Sequence, residues 1–305
     1  MSIHKKRKRL FLKQEVFMIQ IFKKMSHLLS DKTYLKLLYY HFFRKHLNLK
    51  NPITFNEKIQ WLKIYDRKDL YTTFVDKYLV KEYVAKIIGE DHIIPTLGLW
   101  DKFEDIDFSI LPNKFVLKCT HDSGGLVICH DKKTFDYASA KKIINKSLKT
   151  NFYWVRREWP YKNVKPRIIA EQYMEDDATK DLRDYKFFCF NGSAKALFIA
   201  TDRQNNLEET KFDFFDINFN HLPIKNGHPN ADVCPSKPKT FDEMIRFAEL
   251  LSKNIPHLRC DFYEVNGKVY FGELTFSHFG GMVPFEPEEW DKVFGSWIML
   301  PKLFK

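Results

Sequence analysis

Over residues 259 to 275 apolar and polar side chains alternate with a period of two, interrupted by Asn266-Gly267. That pattern predicts two strands closed by a tight turn. On the first strand Arg259, Asp261 and Tyr263 share one face while Cys260 and Phe262 take the other, and on the second Glu273 and Thr275 share a face. A two-residue loop at Asn266-Gly267 would pair Asp261 with Gly272 and send Glu273 to the opposite face. A three-residue loop, Val265 to Gly267 with Gly267 left-handed in a bulge, sets Glu273 opposite Arg259 and diagonal to Asp261, roughly 7 Å away across the ladder. The second register brings the charged groups together and is the one expected.

Elsewhere the pattern is helical or strand-like in turn. Thr54-Phe-Asn-Glu57 is a capping box that starts a helix along Ile59, Leu62 and Tyr65. A second helix is expected from about Thr73 to Ile88, ending at Gly89 and carrying Asp76 and Lys77 in its first turns. Lys114 to Thr120 and Leu126 to His130 read as strands joined by His121-Asp-Ser-Gly-Gly125. Ala138 to Leu148 is helical, and Asn151 to Lys165 is an aromatic and basic segment, read either as the lining of an acceptor groove or as an irregular surface loop. A short strand, Arg167 to Gln172, leads past Glu171 into the acidic stretch Glu175, Asp176, Asp177 and Asp181. Asp184 to Phe190 is a buried strand followed by an Asn-Gly turn and a strand from Ala194 to Ala200, with Phe212 to Phe215 as a further strand. His221 to Lys239 contains four prolines and reads as an excursion. Thr240-Phe-Asp-Glu243 is a second capping box opening a helix with Met244, Ile245, Phe247, Ala248 and Leu251 on its buried stripe.

Composition narrows the class. The 305 residues are 44% hydrophobic and 29% charged, with no repeat and no apolar run long enough to span a bilayer, as expected of a globular chain of two or three subdomains. Five cysteines with no C-x-x-C pair give neither a disulfide framework nor a zinc knuckle, and Cys119 and Cys260 alternate with polar neighbours so as to face a core. No signal peptide is recognised, so the expected location is the cytoplasm. The net charge of +11 suits an anionic partner, but zinc-finger spacing, arginine-rich repeats and RNP-like strands are missing, so nucleic acid is not the expected one. Lys5 to Lys13 is basic, and Phe11, Met18, Ile21, Met25 and Leu28 follow at helical spacing. This start is either a peripheral contact with the cytoplasmic membrane face or a helix docked on the body behind a solvated tail.

Several of these residues suggest chemistry. Two carboxylates on neighbouring strands, Asp261 and Glu273, suit Mg²⁺, which takes one or two carboxylates plus phosphate oxygens and water, and Arg259 beside them suits phosphate. The competing reading is an exposed hairpin with an Arg–Glu pair. Consecutive glycines after Ser123 let backbone approach a ligand and can turn N–H groups toward phosphate, with Lys118 placed to reach it; as a bare hairpin turn they would need no ligand. Asp184 and Lys186 put opposite charges on one face of an aromatic strand, which is costly unless they pair or hold a ligand. His121 and His278 are candidate bases or loop hydrogen-bonders.

The order Asp76-Lys77, Phe-Val-Leu-Lys118 with its Gly-Gly loop, Ile-Ile-Ala-Glu171, Arg259-Cys-Asp261 and Gly-Glu273-Leu-Thr275 resembles an ATP-grasp enzyme over about residues 50 to 285. More narrowly, Asn51-Pro-Ile-Thr-Phe-Asn-Glu-Lys-Ile-Gln-Trp-Leu-Lys63, Asp184-Tyr-Lys-Phe-Phe-Cys-Phe-Asn-Gly192 and Phe271-Gly-Glu-Leu-Thr-Phe276 resemble the TupA-like branch, named for teichuronopeptide synthesis and found in surface-polysaccharide gene sets. The resemblance implies an α+β fold of two lobes with ATP between them. It implies a basic helical extension at 1–50, an N-terminal subdomain at 51–112, a flexible Gly-rich lid subdomain at 113–172 and a catalytic subdomain at 173–305. By position Lys77, Lys118, Ser123, Gly124 and Gly125 would bind phosphates, and Glu171 with the following linker would hold adenine. Asp184 would take ribose hydroxyls, Lys186 would contact nucleotide, and Arg259 would steady the transferred phosphoryl group. Asp261 and Glu273 would hold Mg²⁺. Thr275 stands where many relatives carry Asn, and its hydroxyl is a weaker ligand.

The function this implies is an ATP- and Mg²⁺-dependent carboxylate–amine ligase that forms an amide through an acyl phosphate, with a uronic acid of a capsule or other surface polysaccharide, or its precursor, receiving an amino acid or amine. The alternatives are a glycosyltransferase of capsule or lipopolysaccharide synthesis and a degenerate nucleotide-binding module that tethers a glycan-assembly complex.

Overall fold

A computed structural model describes residues 26–177, 182–201 and 209–303. The basic stretch before residue 26 and Asp181 lie outside them. In chain order the helices are α1 (Asp31–Phe43), α2 (Phe55–Tyr65), α3 (Leu70–Val75), α4 (Leu79–Ile88), α5 (Tyr137–Leu148), α6 (Tyr153–Arg156), α7 (Phe241–Leu251) and α8 (Glu289–Trp297). The strands are β1 (Thr96–Trp100), β2 (Phe115–Cys119), β3 (Leu126–Cys129), β4 (Ile168–Gln172), β5 (Asp184–Phe190), β6 (Ser193–Thr201), β7 (Lys211–Asp216), β8 (His221–Leu222), β9 (His257–Val265) and β10 (Lys268–Thr275).

Two antiparallel sheets organise the molecule, one in the order β1-β4-β2-β3 and one in the order β10-β9-β5-β6-β7-β8. The smaller sheet buries Phe115, Leu117, Cys119, Ile168 and Ala170 against Ala140 and Ile144 of α5, so Lys118 and Glu171 point the other way. The larger sheet is covered on both faces. Phe187, Leu197, Cys260 and Phe262 pack on α4 and α7, while Phe188, Phe190, Phe198 and Phe214 pack on Phe55 and Ile59 of α2 and Phe294 of α8. Burying both faces explains why β5 is apolar on each side rather than alternating. The charged residues Asp184, Lys186, Arg259 and Asp261 continue the second face beyond its phenylalanines, at the end nearest the smaller sheet.

Three local expectations are corrected. The hairpin closes with a two-residue turn, Asn266 at φ 52° and Gly267 at φ 74°, pairing Val265 with Lys268. Gly272 is then an extra residue between the pairs Phe271–Phe262 and Glu273–Asp261, and this bulge, not a three-residue loop, brings Glu273 to the side of Asp261. A Cβ at Gly272 would stand 3.0 Å from the Asp261 carbonyl oxygen. The helix expected from Thr73 to Ile88 is two helices. Asp76 Oδ1 accepts from the N–H groups of Tyr78 and Leu79 at 2.9 and 3.1 Å, starting α4 afresh and leaving Lys77 in the break. Thr240 does not cap α7: its N–H and hydroxyl both donate to Glu264, at 2.8 and 2.6 Å. The box at Thr54 and Glu57 is formed in full.

Candidate active site

The polar faces of the two sheets meet in a cleft of about 160 Å³ whose walls include Lys77, Lys81, Lys118, Asp122, Glu171, Asp184, Lys186 and Glu273. The break after α3 aims Lys77 into it, and the helical turn of α4 adds Lys81. On the small-sheet side Glu171 is sealed between two lysines, 2.6 Å from Lys118 Nζ and 2.5 Å from Lys81 Nζ. Burial alone would raise its pKa, but the two ammonium groups outweigh it and hold the carboxyl at about 2. Both Glu171 oxygens are thus occupied.

The loop from His121 to Gly125 overhangs this side. Asp122 braces it through the Ser147 hydroxyl and by accepting the Gly125 N–H at 3.1 Å, while its carbonyl accepts from Lys77. Gly125 is therefore packed inward with its N–H used inside the loop, whereas Ser123 and Gly124 are exposed. His121 is buried, its Nε2 3.1 Å from the Ser147 and Thr150 carbonyl oxygens. It anchors the loop to the end of α5.

On the large sheet Arg259 is the centre of a buried network. Its Nε and one terminal nitrogen grip both oxygens of Asp261 at 2.7 Å. That terminal nitrogen also reaches Glu273 and the Thr275 hydroxyl, each at 3.0 Å. Lys186 touches Asp261 from the other side and lies 3.3 Å from Asp184. Against the cost of burial, the charges of Lys186, Arg259 and Lys77 hold Glu273 at about 2. Lys77 itself is pushed down by burial, an effect that Glu273 and Asp122 oppose.

His278 Nδ1 lies 2.8 Å from the remaining Arg259 nitrogen and its Nε2 lies 2.8 Å from Asn226 Oδ1. Guanidinium only donates, so the proton sits on Nε2 and donates to Asn226, whose amide nitrogen is fixed by carbonyls. Burial and Arg259 push this imidazole well below its ordinary pKa. It is a buttress for Arg259.

The expected residues on both sheets therefore meet in one region. Sequence reasoning overlooked Lys81, four residues after Lys77 and able to share its target, and Asp122, whose loop role the Gly-Gly signal hid. It also gave Glu175, Asp176 and Asp177 no task, although Asp176 and Asp177 bond Asn266 at the hairpin tip, at 2.8 and 2.9 Å.

Asp261, Glu273 and Thr275 carry oxygen donors alone, with both Asp261 oxygens taken up by Arg259 and Lys186 and Glu273 open to the cleft, and among the described residues no cluster of three or more His, Cys, Asp or Glu side chains forms. Two acids beside phosphate-seeking cations are the donor set magnesium takes with a nucleotide. Among the described residues no helix is long and apolar enough to cross a membrane.

A family model described as TupA-like ATP-grasp matches residues 57–299. A search of curated proteins finds no match. Solved structures similar to the chain include a D-alanine–D-alanine ligase from Bacillus anthracis complexed with ATP (14% identity, TM-score 0.40, 67% of this chain and 54% of that one). The corresponding ligase from Helicobacter pylori is similar over 74% of this chain and 58% of its own, at 14% identity and TM-score 0.40. The ATP-grasp ligase PsnB, complexed with a minimal precursor, Mg and ADP, is similar over 73% and 58% at 10% identity and TM-score 0.38. The chain thus spans under two thirds of the length of each.

Proposed function

The chain belongs to the TupA-like ATP-grasp family, and from that premise we propose that it is an ATP- and Mg²⁺-dependent ligase joining a carboxylate to an amine. The observation that carries this is the Gly272 bulge, which sets Glu273 beside Asp261 under one arginine, across the cleft from Lys77 and Lys118. Asp261 and Glu273, with the Thr275 hydroxyl, would hold Mg²⁺, which when bound neutralises phosphate charge. Lys77, Lys81 and Lys118 would bind phosphates, with Glu171 keeping the last two in place and its linker receiving the base. Ser123 and Gly124 would close over the phosphates on the base that Gly125, packed inward, provides, and Asp184 and Lys186 would contact ribose and phosphate.

Arg259, fixed on three sides, would face the phosphoryl group as it moves, giving stabilisation without reorganisation. The substrate carboxylate attacks the γ-phosphorus and ADP departs. The amine nitrogen then attacks the acyl carbon, and inorganic phosphate leaves as the amide forms. Closure of the 121–125 loop keeps water from the acyl phosphate.

We take the carboxylate to be a uronic acid of a surface polysaccharide or precursor and the amine to be an amino acid or related compound, and place the reaction in the cytoplasm. The family's naming and the +11 charge support that choice. The test is ADP release from ATP and Mg²⁺ on adding uronates with amines. Absence of nucleotide binding under Mg²⁺ would overturn the reading. Thermal stabilisation by UDP-sugars instead of ATP analogues would favour a glycosyltransferase.

A further inference from the structure

Glu158, in the aromatic and basic segment just after α6, is 5% exposed. Among the described residues its carboxylate makes no hydrogen bond or ion pair, yet its oxygens are not sealed off from solvent-reachable space. The nearest lysine, Lys63, is engaged elsewhere. Lys63 Nζ donates to Gln60 Oε1 at 2.9 Å, to the Arg156 carbonyl at 3.0 Å and to the Gly280 carbonyl at 2.5 Å, which uses all three protons. The Arg156 guanidinium donates to the Phe279 carbonyl, and the residue before Phe279 is His278, the buttress of Arg259.

A chain of direct contacts therefore runs from the Asp261–Glu273 pair to the surroundings of Glu158. The charges acting on its carboxyl are Lys63, Arg156, Arg259 and Glu273, and the first charge acting on the nearby Tyr161 is Glu158 itself, followed by Glu273, Arg259 and Asp261. Burial raises the pKa of Glu158 despite three cations. A buried carboxylate without a partner destabilises a fold, so its presence beside a candidate reaction centre calls for a ligand that completes it.

We infer that Glu158 receives the ammonium group of the acceptor amine and acts as the base that frees its lone pair. This rests on the ligase reading and identifies the second substrate as a primary ammonium compound. One proton passes from R–NH₃⁺ to the Glu158 carboxylate, and the nitrogen lone pair forms the C–N bond. The C–O bond to phosphorus-bearing oxygen breaks with its electrons leaving on inorganic phosphate, which takes the second nitrogen proton. Glu158 then returns its proton to water.

The test compares two nucleophiles in the full chain with ATP, Mg²⁺ and glucuronate: ethanolamine, which arrives charged, and hydroxylamine, which is uncharged at neutral pH and needs neither the ion pair nor the base. Glu158→Gln should form hydroxamate within about twofold of the unmodified protein while amide formation falls about 10²- to 10⁴-fold. Its melting temperature should stay level or rise, because an unpartnered buried charge has been removed. Equal loss with both nucleophiles, retained amide formation, or a fall in melting temperature of more than about 4 °C would overturn the inference, the last by making Glu158 a structural counter-ion of Lys63. If the unmodified protein turns over neither nucleophile, the ligase reading fails and takes this one with it.

Discussion

The two sides of the cleft are built in opposite ways. On the large sheet Arg259 makes five polar contacts, to Asp261 twice, Glu273, Thr275 and His278, and Phe198 lies beneath its guanidinium at 5.8 Å. On the small sheet the loop 121–125 is anchored at its ends by His121, Asp122, the Gly125 backbone and one lysine, with Ser123 and Gly124 at its tip in solvent. The proposed phosphoryl transfer would require charges fixed before the reaction, and nucleotide exchange an element that can leave. On that reading, the network on one sheet and the open loop tip on the other would divide those two demands.

The comparison breaks most visibly at Arg259. Arg259→Met strands Asp261 in the interior with Lys186 alone, so a loss of about 3–5 kcal/mol in urea-derived stability is expected. A loss under about 1 kcal/mol would mean the network is not preformed. Glu273→Gln separates chemistry from folding on the same side. Glu273 is 40% exposed toward the cleft, so its neutral isostere should leave the melting temperature nearly unchanged while kcat falls about 10²- to 10³-fold. Full activity would remove its metal role.

How much of this was legible in the chain differs by residue. Asn266-Gly267 marked where the chain turns, and the two-residue turn it signals, set aside in favour of a three-residue loop, is the one that forms, because a type I′ turn needs two left-handed residues and few dipeptides supply them. The bulge was misplaced because Gly272 in a strand has no side chain to signal which neighbour it crowds; the Asp261 carbonyl that excludes a Cβ belongs to the other strand. Asp76 was read as a helical residue since apolar spacing runs on through it, and only the tertiary pull of Arg167 on its second oxygen at 3.0 Å shows why the chain restarts there. Thr240 satisfies the capping-box pattern but finds a better acceptor in Glu264, which is 24 residues away. Glu158 carried no local signal at all: its meaning lies in the partners it lacks.

Acid should act on the molecule in two steps. His257 and His278 on the large sheet are buried uncharged, His257 at about 3 through burial, so the unfolded chain binds protons that the folded one refuses once pH drops below about 6.5. Stability should therefore begin to decline there. Glu171, depressed by its two lysines, contributes stability that is whole above its ordinary 4.5 and lost toward 2, so a second, steeper decline follows. Glu171→Gln should shrink the second decline, to which Glu273, also held at about 2 but more open to solvent screening, adds a smaller share, and leave the first, as read by urea midpoints across pH 3 to 8.

Lys118→Ala probes the small-sheet side without touching the network opposite. Lys81 keeps Glu171 paired, so folding should hold while ATP affinity weakens about 10- to 100-fold, measured by calorimetry with a non-hydrolysable analogue. Unchanged affinity would place the nucleotide elsewhere.

The smallest effects come from adjacent glycines in the loop, and they sharpen the comparison most. Neither Gly124 nor Gly125 has a left-handed φ, so alanine is admitted by the backbone at both. At Gly125 its methyl would meet Ser147 Oγ and stand 2.6 Å from Cys119 Sγ, prying the loop from α5 at about 1–3 kcal/mol. At Gly124 the nearest atom is Asp122 Oδ2 at 3.7 Å, so alanine there should be neutral or stabilise by about 0.4–1 kcal/mol through the unfolded chain. A well-anchored base and an open tip predict that asymmetry in melting temperature. Equal destabilisation by the two variants would show the whole loop to be packed, and with that the division between a fixed side and a yielding one would fall.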